Sequence, residues 1–196
     1  MKCNWHQFVA IVAIVIAALS FFGVFKSNPV LQHLLLNGVS AKPFTGVMLF
    51  FSGILAWFMS VEPKSKIKEL LIIVFSSMIA GMTFTNVMWN FIPVDSDLLV
   101  SGAAPYPSLI ALLACFLFAI AGSVRGIYGR VVLGIWVSRL AGLIGVFVLV
   151  GHIAGVPILY LGDMDARLSA ISVPSSLSII LISLAANGRP KTKLPI

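Results

Sequence analysis

The chain has 196 residues, of which 60% are hydrophobic and only 10% charged, and its mean hydropathy is +1.09. A soluble globular domain carries about 25% charged residues, so the composition argues against a water-soluble enzyme from the start. The net charge of +7 invites a nucleic-acid reading, but the basic residues cluster at the ends of apolar runs, where membrane topology needs them.

A spanning helix needs about 20 mainly apolar residues, and six runs qualify as candidates. The first, Phe8–Phe25, follows Lys2 with the polarity of a signal peptide, and Ala18-Leu19-Ser20 resembles a cleavage site. Its 18 residues exceed the usual apolar stretch of a signal peptide, about 7–15. It is therefore read as a retained helix. Cys3, just ahead of it, is a candidate for acylation, and Cys115 is expected to be a small buried residue. The remaining spans are expected at Thr45–Val61, Glu69–Phe91, Tyr106–Val124, Val132–Val156 and Ala170–Ala186. All six are continuously apolar rather than alternating, which favours helices over a β-barrel. The expected fold class is an all-α integral membrane protein.

Orientation follows from Lys and Arg. With the N-terminus inside, the cytoplasmic pieces hold Lys2, Lys64, Lys66, Lys68, Arg125, Arg130, Arg139, Arg189, Lys191 and Lys193; the outer pieces hold Lys26, Lys42 and Arg167. That asymmetry predicts both termini in the cytoplasm. Trp5, Trp57 and Trp136 fall near inner boundaries and Trp89 near an outer one, as interfacial anchors would.

Pro29, Pro93 and Pro157 are spaced 64 residues apart, in SNPVL, FIPVD and GVPIL. Each closes an odd-numbered span. A short semi-polar segment follows, then a second span opening on small or polar residues: PFTGVMLFFSGILAW, PYPSLIALLACFLFA and VPSSLSIILISLAAN. The chain thus reads as one six-helix domain, 1–196, built from three tandem helical hairpins with units near 1–64, 65–128 and 129–196. The segments after each proline, such as VLQHLLLNG and ILYLGDM, are expected to be short interfacial helices on the outer face.

The third copy, GHIAGVPILYLGDMDARLSAISVPSSLSIILISLAANGRP, resembles the last hairpin of the multi-helix membrane input domains that precede bacterial histidine kinases and diguanylate cyclases. Gly155, Pro157, Leu159, Tyr160, Ser175, Leu184, Ala185, Arg189 and Pro190 carry the match. Thr45 and Gly53 match in the first copy, whereas Phe116 stands where the middle copy would have glycine. The resemblance implies a sensory module of a bacterial inner membrane. No kinase or cyclase sequence follows within these 196 residues, so the chain is expected either to bind a protein partner or to act purely as a membrane module.

No GxSxG, HExxH, P-loop or GxGxxG occurs. His6, His33 and His152 are not paired at helical spacing. The chain is therefore read as non-catalytic, with no metal or cofactor and no nucleic-acid partner. Polar residues inside spans are the functional candidates. Thr83, Asn86 and Asn90 share one face of the third span, with Trp89 beside them. They suit either interhelical hydrogen bonds or a pocket for a quinone, lipid or other small apolar ligand. Arg139 is the basic residue set most clearly into a span; it can snorkel, or pair with a lipid or a partner chain. Asp95, Asp97, Asp163 and Asp165 are candidates for contacts on the outer face. The expected role is a sensory or regulatory membrane module acting through protein contacts and surrounded by membrane lipids. The alternatives are an accessory subunit of a membrane complex and, behind it, a small transporter.

Overall fold

The computed structural model describes residues 4–25, 42–61, 65–91, 107–156, 159 and 171–188, with the side chains of 23–25 and 89–91 outside that description. Among the described residues there are six helices and no strand: α1 (Trp5–Phe25), α2 (Pro43–Ser60), α3 (Lys66–Phe91), α4 (Leu109–Gly126), α5 (Val131–Ala154) and α6 (Val173–Ala186). The first five are long and apolar enough to cross a membrane; α6 has 14 residues. The interfacial segments expected after each proline lie outside the described residues.

The helix ends differ from the expected spans by a few residues, and local chemistry explains the differences. α3 starts earlier than Glu69 because Ser65 caps it, its hydroxyl accepting from Lys68 N and its carbonyl from Glu69 N. α4 starts later than Tyr106 because Ser108 is extended and its Oγ accepts from Ala111 N at 3.1 Å. α6 likewise waits for the extended Ser172, with Pro174 in its first turn. α5 stops at Ala154, short of Val156, because Gly155 takes the left-handed conformation (φ 63°) and its N–H reaches Gly151 O and His152 O. α4 continues past the expected Val124 to Gly126, which draws Arg125 into its last turn.

Packing separates the helices into two sets. α2, α4 and α6 touch one another, while α1 packs on α2 and α6, α3 on α4 and α2, and α5 on α6 and α4. The even-numbered helices therefore form the centre, and each odd-numbered helix fills a groove between two of them. Burial agrees: 56% of the apolar window of α2 is buried but only 28% of those of α1 and α3. The core carries Met48, Leu49, Leu112, Phe118, Ile179 and Ile182. The outward faces are apolar too, with Ile11, Val15, Leu70, Val74, Leu143 and Phe147 all exposed.

End contacts fix the directions. Arg125 reaches backbone carbonyls at the C-terminal ends of α2 and α6, and His6 near the start of α1 reaches Leu184 O of α6. At the opposite end, Lys42, Ser108 and Ser172, the residues that precede α2, α4 and α6, line one small cavity. The central helices are thus parallel to one another and antiparallel to α1. Gly126 beside Ile72 and Ile73, and Gly134 beside Arg125, place the starts of α3 and α5 at the same end as the start of α1.

Contacts this close need small residues. A Cβ on Gly142 of α5 would stand 2.5 Å from Ser183 Oγ and 2.7 Å from its Cβ, whereas one on Gly81 would meet nothing within 4 Å. Gly142→Val is expected to destabilise the protein by about 1–3 kcal/mol through overpacking, and Gly81→Ala to leave it essentially unchanged. Thermal unfolding of the two variants in the same detergent measures the contrast; equal transition temperatures would contradict the close approach of α5 and α6.

Candidate functional site

The most polar constellation among the described residues lies where α2, α4 and α6 end. Arg125, in the last turn of α4, is only 8% exposed. Its Nη1 donates to Ala186 O, and its Nη2 donates to Met59 O and to Gly188 O, both at 3.0 Å. Each acceptor is at or just beyond the last turn of α2 or α6. These are carbonyls that no later turn of their own helix can satisfy. They also carry the negative ends of two helix dipoles, with that of α4 close by. One guanidinium thus holds three helix ends together, and among the described residues no carboxylate is hydrogen-bonded to it.

The local sequence makes room for this. The Arg125 stem crosses α5 at Gly134, where a Cβ would stand 2.5 Å from Arg125 Cγ and 2.8 Å from Cδ. Around the knot, His6 Nδ1 donates to Leu184 O at 3.0 Å, and Gly188 packs against His6 and Ser60. The end of α6 is therefore gripped from α1, α2 and α4. α5 adds a contact through Arg139, whose Nε donates to Asn187 Oδ1 at 3.3 Å.

Arg139 lies within α5. It is exposed, with its guanidinium carbon 5.1 Å from the Trp136 ring centroid, and Trp136 is exposed as well. The basic residue set into the bundle is Arg125, which the sequence reading placed beyond the end of its span. The signal was present in GSVRG: an arginine between glycines, one helical turn from the close-packing face.

Thr83 and Asn86 are buried on α3, as their shared face requires. Thr83 Oγ1 donates to Ile79 O and Asn86 Nδ2 to Met82 O, both at 2.8 Å, so these two bonds are made within their own helix. Thr83 also lines a cavity of about 330 Å³ between α3 and α4, whose other walls include Phe84, Val87, Leu112 and Phe116. Asn86 is not part of that lining. The side chains of Trp89 and Asn90, and the residues Asp95, Asp97, Asp163 and Asp165, lie outside the described residues.

At the opposite end the helix starts bring together Thr45, Ser108, Ser172 and Ser175, all buried. Burial there holds the Lys42 ammonium below its ordinary value. His152 Nε2 donates to Ile171 O at 2.7 Å and ties the end of α5 to the start of α6.

No protein-family model, curated protein or solved structure matches this chain.

Removing the Arg125 side chain strands three carbonyls. Arg125→Met is expected to cost about 3 kcal/mol, at the usual cost of unsatisfied buried acceptors. Arg139→Leu is expected to cost under about 1 kcal/mol, because its contacts are exposed. Denaturant titrations of both variants in detergent check the ranking, and a larger loss for Arg139→Leu would refute the central role of Arg125.

Proposed function

We propose that the chain is an integral membrane module of six spans in three tandem hairpins, with a sensory or regulatory role exercised through protein contacts rather than catalysis. The observation that carries the reading is the packing pattern. Each consecutive helix pair, α1–α2, α3–α4 and α5–α6, is in contact, and each pair adds one helix to the centre and one to the rim. That is what a 64-residue repeat around an approximate threefold axis along the membrane normal would produce. The apolar rim supports lipid exposure, because in water such a surface would aggregate. Lys66, Lys68, Arg125, Arg130 and Arg139 gather at one end with Trp5 and Trp136, which supports that end as the cytoplasmic one.

The regulatory element of the proposal rests on the grip around α6. The last helix is held by His6, Arg125 and Arg139 at the point where the chain passes into residues 189–196. Rearrangement of any hairpin would therefore reach that point. This suits the resemblance to membrane input domains of bacterial signalling enzymes, and with it an inner-membrane location with both termini cytoplasmic. No described feature favours transport: among the described residues the one buried basic side chain, Arg125, lies at an end of the bundle rather than midway along it.

Two measurements test this. Single cysteines at Tyr128 and Asp97, in a background lacking Cys3 and Cys115, are probed with a membrane-impermeant maleimide. Position 97 is expected to label in intact cells and position 128 only after lysis; the reverse pattern would overturn the topology. Purification in mild detergent followed by mass spectrometry is expected to recover a signalling enzyme as partner. Recovery of the subunits of a membrane assembly would favour the accessory-subunit reading, and a clean monomer would count against both.

A further inference from the structure

The three hairpins are not packed alike. At the end away from Arg125, a Cβ on Gly46 of α2 would stand 3.2 Å from Phe21 Cβ of α1, and one on Gly145 of α5 would stand 2.9 Å from Ser176 O in the first turn of α6. Glycine closes those two pairs there. Between α3 and α4 the glycine contacts, Gly122 with Ser76 and Gly126 with Ile72, fall toward the Arg125 end. The far half of α4 carries Leu112, Leu113 and Phe116 instead. Phe116 stands where the first copy has Gly53, on which a Cβ would meet Ile14 Cγ1 at 2.7 Å. At this one departure from the repeat the cavity of about 330 Å³ opens between α3 and α4. We propose that it binds one hydrocarbon tail of a membrane lipid.

The lining selects that occupant. Thr83 and Leu112 are buried and form the floor, while Phe84, Leu113 and Phe116 are exposed, so the cavity opens on the apolar rim. Along α4 it runs from Leu109 to Phe116, about 10 Å at the helical rise. Among the described lining residues Thr83 alone has a side-chain nitrogen or oxygen, and its hydroxyl proton goes to Ile79 O at 2.8 Å. A headgroup or a quinone carbonyl would therefore find no side-chain donor there. Water gains nothing in such a space, and an empty one forfeits dispersion contacts. Two turns of a partner helix occupy roughly 850 Å³ at a diameter of about 10 Å, more than the cavity holds. A tail needs only apolar walls and an opening toward the bilayer, and both are present.

The inference rests on the membrane reading above. To test it, the full chain is reconstituted in phosphatidylcholine nanodiscs doped with a phosphatidylcholine that carries a diazirine on one tail. After irradiation, adducts are mapped by peptide mass spectrometry. Adducts on 83–88 and 109–116 are expected to exceed those on the exposed faces of α1 and α5 about tenfold. Leu113→Trp and Val87→Phe, which fill the cavity from different helices, are each expected to remove that excess, so one variant that folds is enough. Phe147→Trp, on the exposed face of α5, is expected to leave it unchanged. A phosphatidylglycerol carrying the same diazirine tail is expected to give the same pattern, because the tail is held and not the headgroup. Adducts spread evenly around the rim, an excess that survives both filling variants, or cross-linking of this site to a second polypeptide in place of lipid would each overturn the proposal. The cysteine-labelling topology would stand in all three cases, which separates failure of this site from failure of the membrane reading.

Discussion

The arrangement depends on one buried charge. Moving a guanidinium out of water costs several kcal/mol unless it is fully hydrogen-bonded. In this bundle the compensation comes from backbone. Met59 O, Ala186 O and Gly188 O are acceptors left over by helix termination, and the dipoles behind them point the right way. The constraint works in both directions. Arg125 stays buried only if α2 and α6 end within reach, and those ends are satisfied only if Arg125 arrives. A lysine could supply the charge but not the planar fork that spreads donors over three separate carbonyls. The glycine at 134 is part of the same requirement, because any side chain there would occupy the path of the arginine stem.

Away from the knot, polar groups largely satisfy themselves locally. Ser52, Ser76, Thr83 and Ser138 donate to carbonyls three or four residues back in their own helices. Hydroxyls used this way add little attraction between helices. They behave as small side chains that permit close approach, alongside glycines such as Gly122 and Gly142. Under the membrane reading proposed above, helices gain little from hiding apolar surface, and such packing becomes the main source of association. Arg125, His6 and Arg139 are different: their bonds run between helices and concentrate at one end, with His152 alone making such a tie at the other among the described residues. The bundle is thus knotted at that end and held by packing along most of its length.

The all-helical character and the approximate limits of all six helices were legible in the sequence, because apolar runs bounded by glycine, proline and charge leave few alternatives. The caps at Ser65, Ser108 and Ser172 could have been read as well, since serine ahead of an apolar run is a start signal. Other features could not be seen from one strand of text. The spacing of Arg125 and Arg139 alone does not say which is buried; the glycines flanking Arg125 in GSVRG hint at it, but the answer also depends on Gly134 in a neighbouring helix and on where two remote helices stop. The face shared by Thr83 and Asn86 was correctly assigned to the interior. Each of the two makes a bond to a carbonyl of its own helix, Ile79 O and Met82 O, which the sequence reading did not foresee.

The parallel alignment of the central helices raises an electrostatic question that the rim helps to answer. Three aligned dipoles in contact repel one another and leave about half a positive charge at each start and half a negative charge at each end. Every rim helix with its start at the Arg125 end lies antiparallel to the two central helices that it touches, which offsets part of that repulsion. The residual charges at the tips still need partners. At the negative tips Arg125 provides one, with the basic residues that begin α3 and α5 nearby. At the positive tips the described structure supplies neutral hydroxyls from Thr45, Ser108, Ser172 and Ser175, together with the cation Lys42 ahead of α2. The sequence places four of its six acidic residues, Asp95, Asp97, Asp163 and Asp165, in the connections that lead into α4 and α6. Charge of the sign those helix starts favour is therefore carried, in the sequence, by the connections that lead into α4 and α6, whereas α2 is preceded by the cation Lys42.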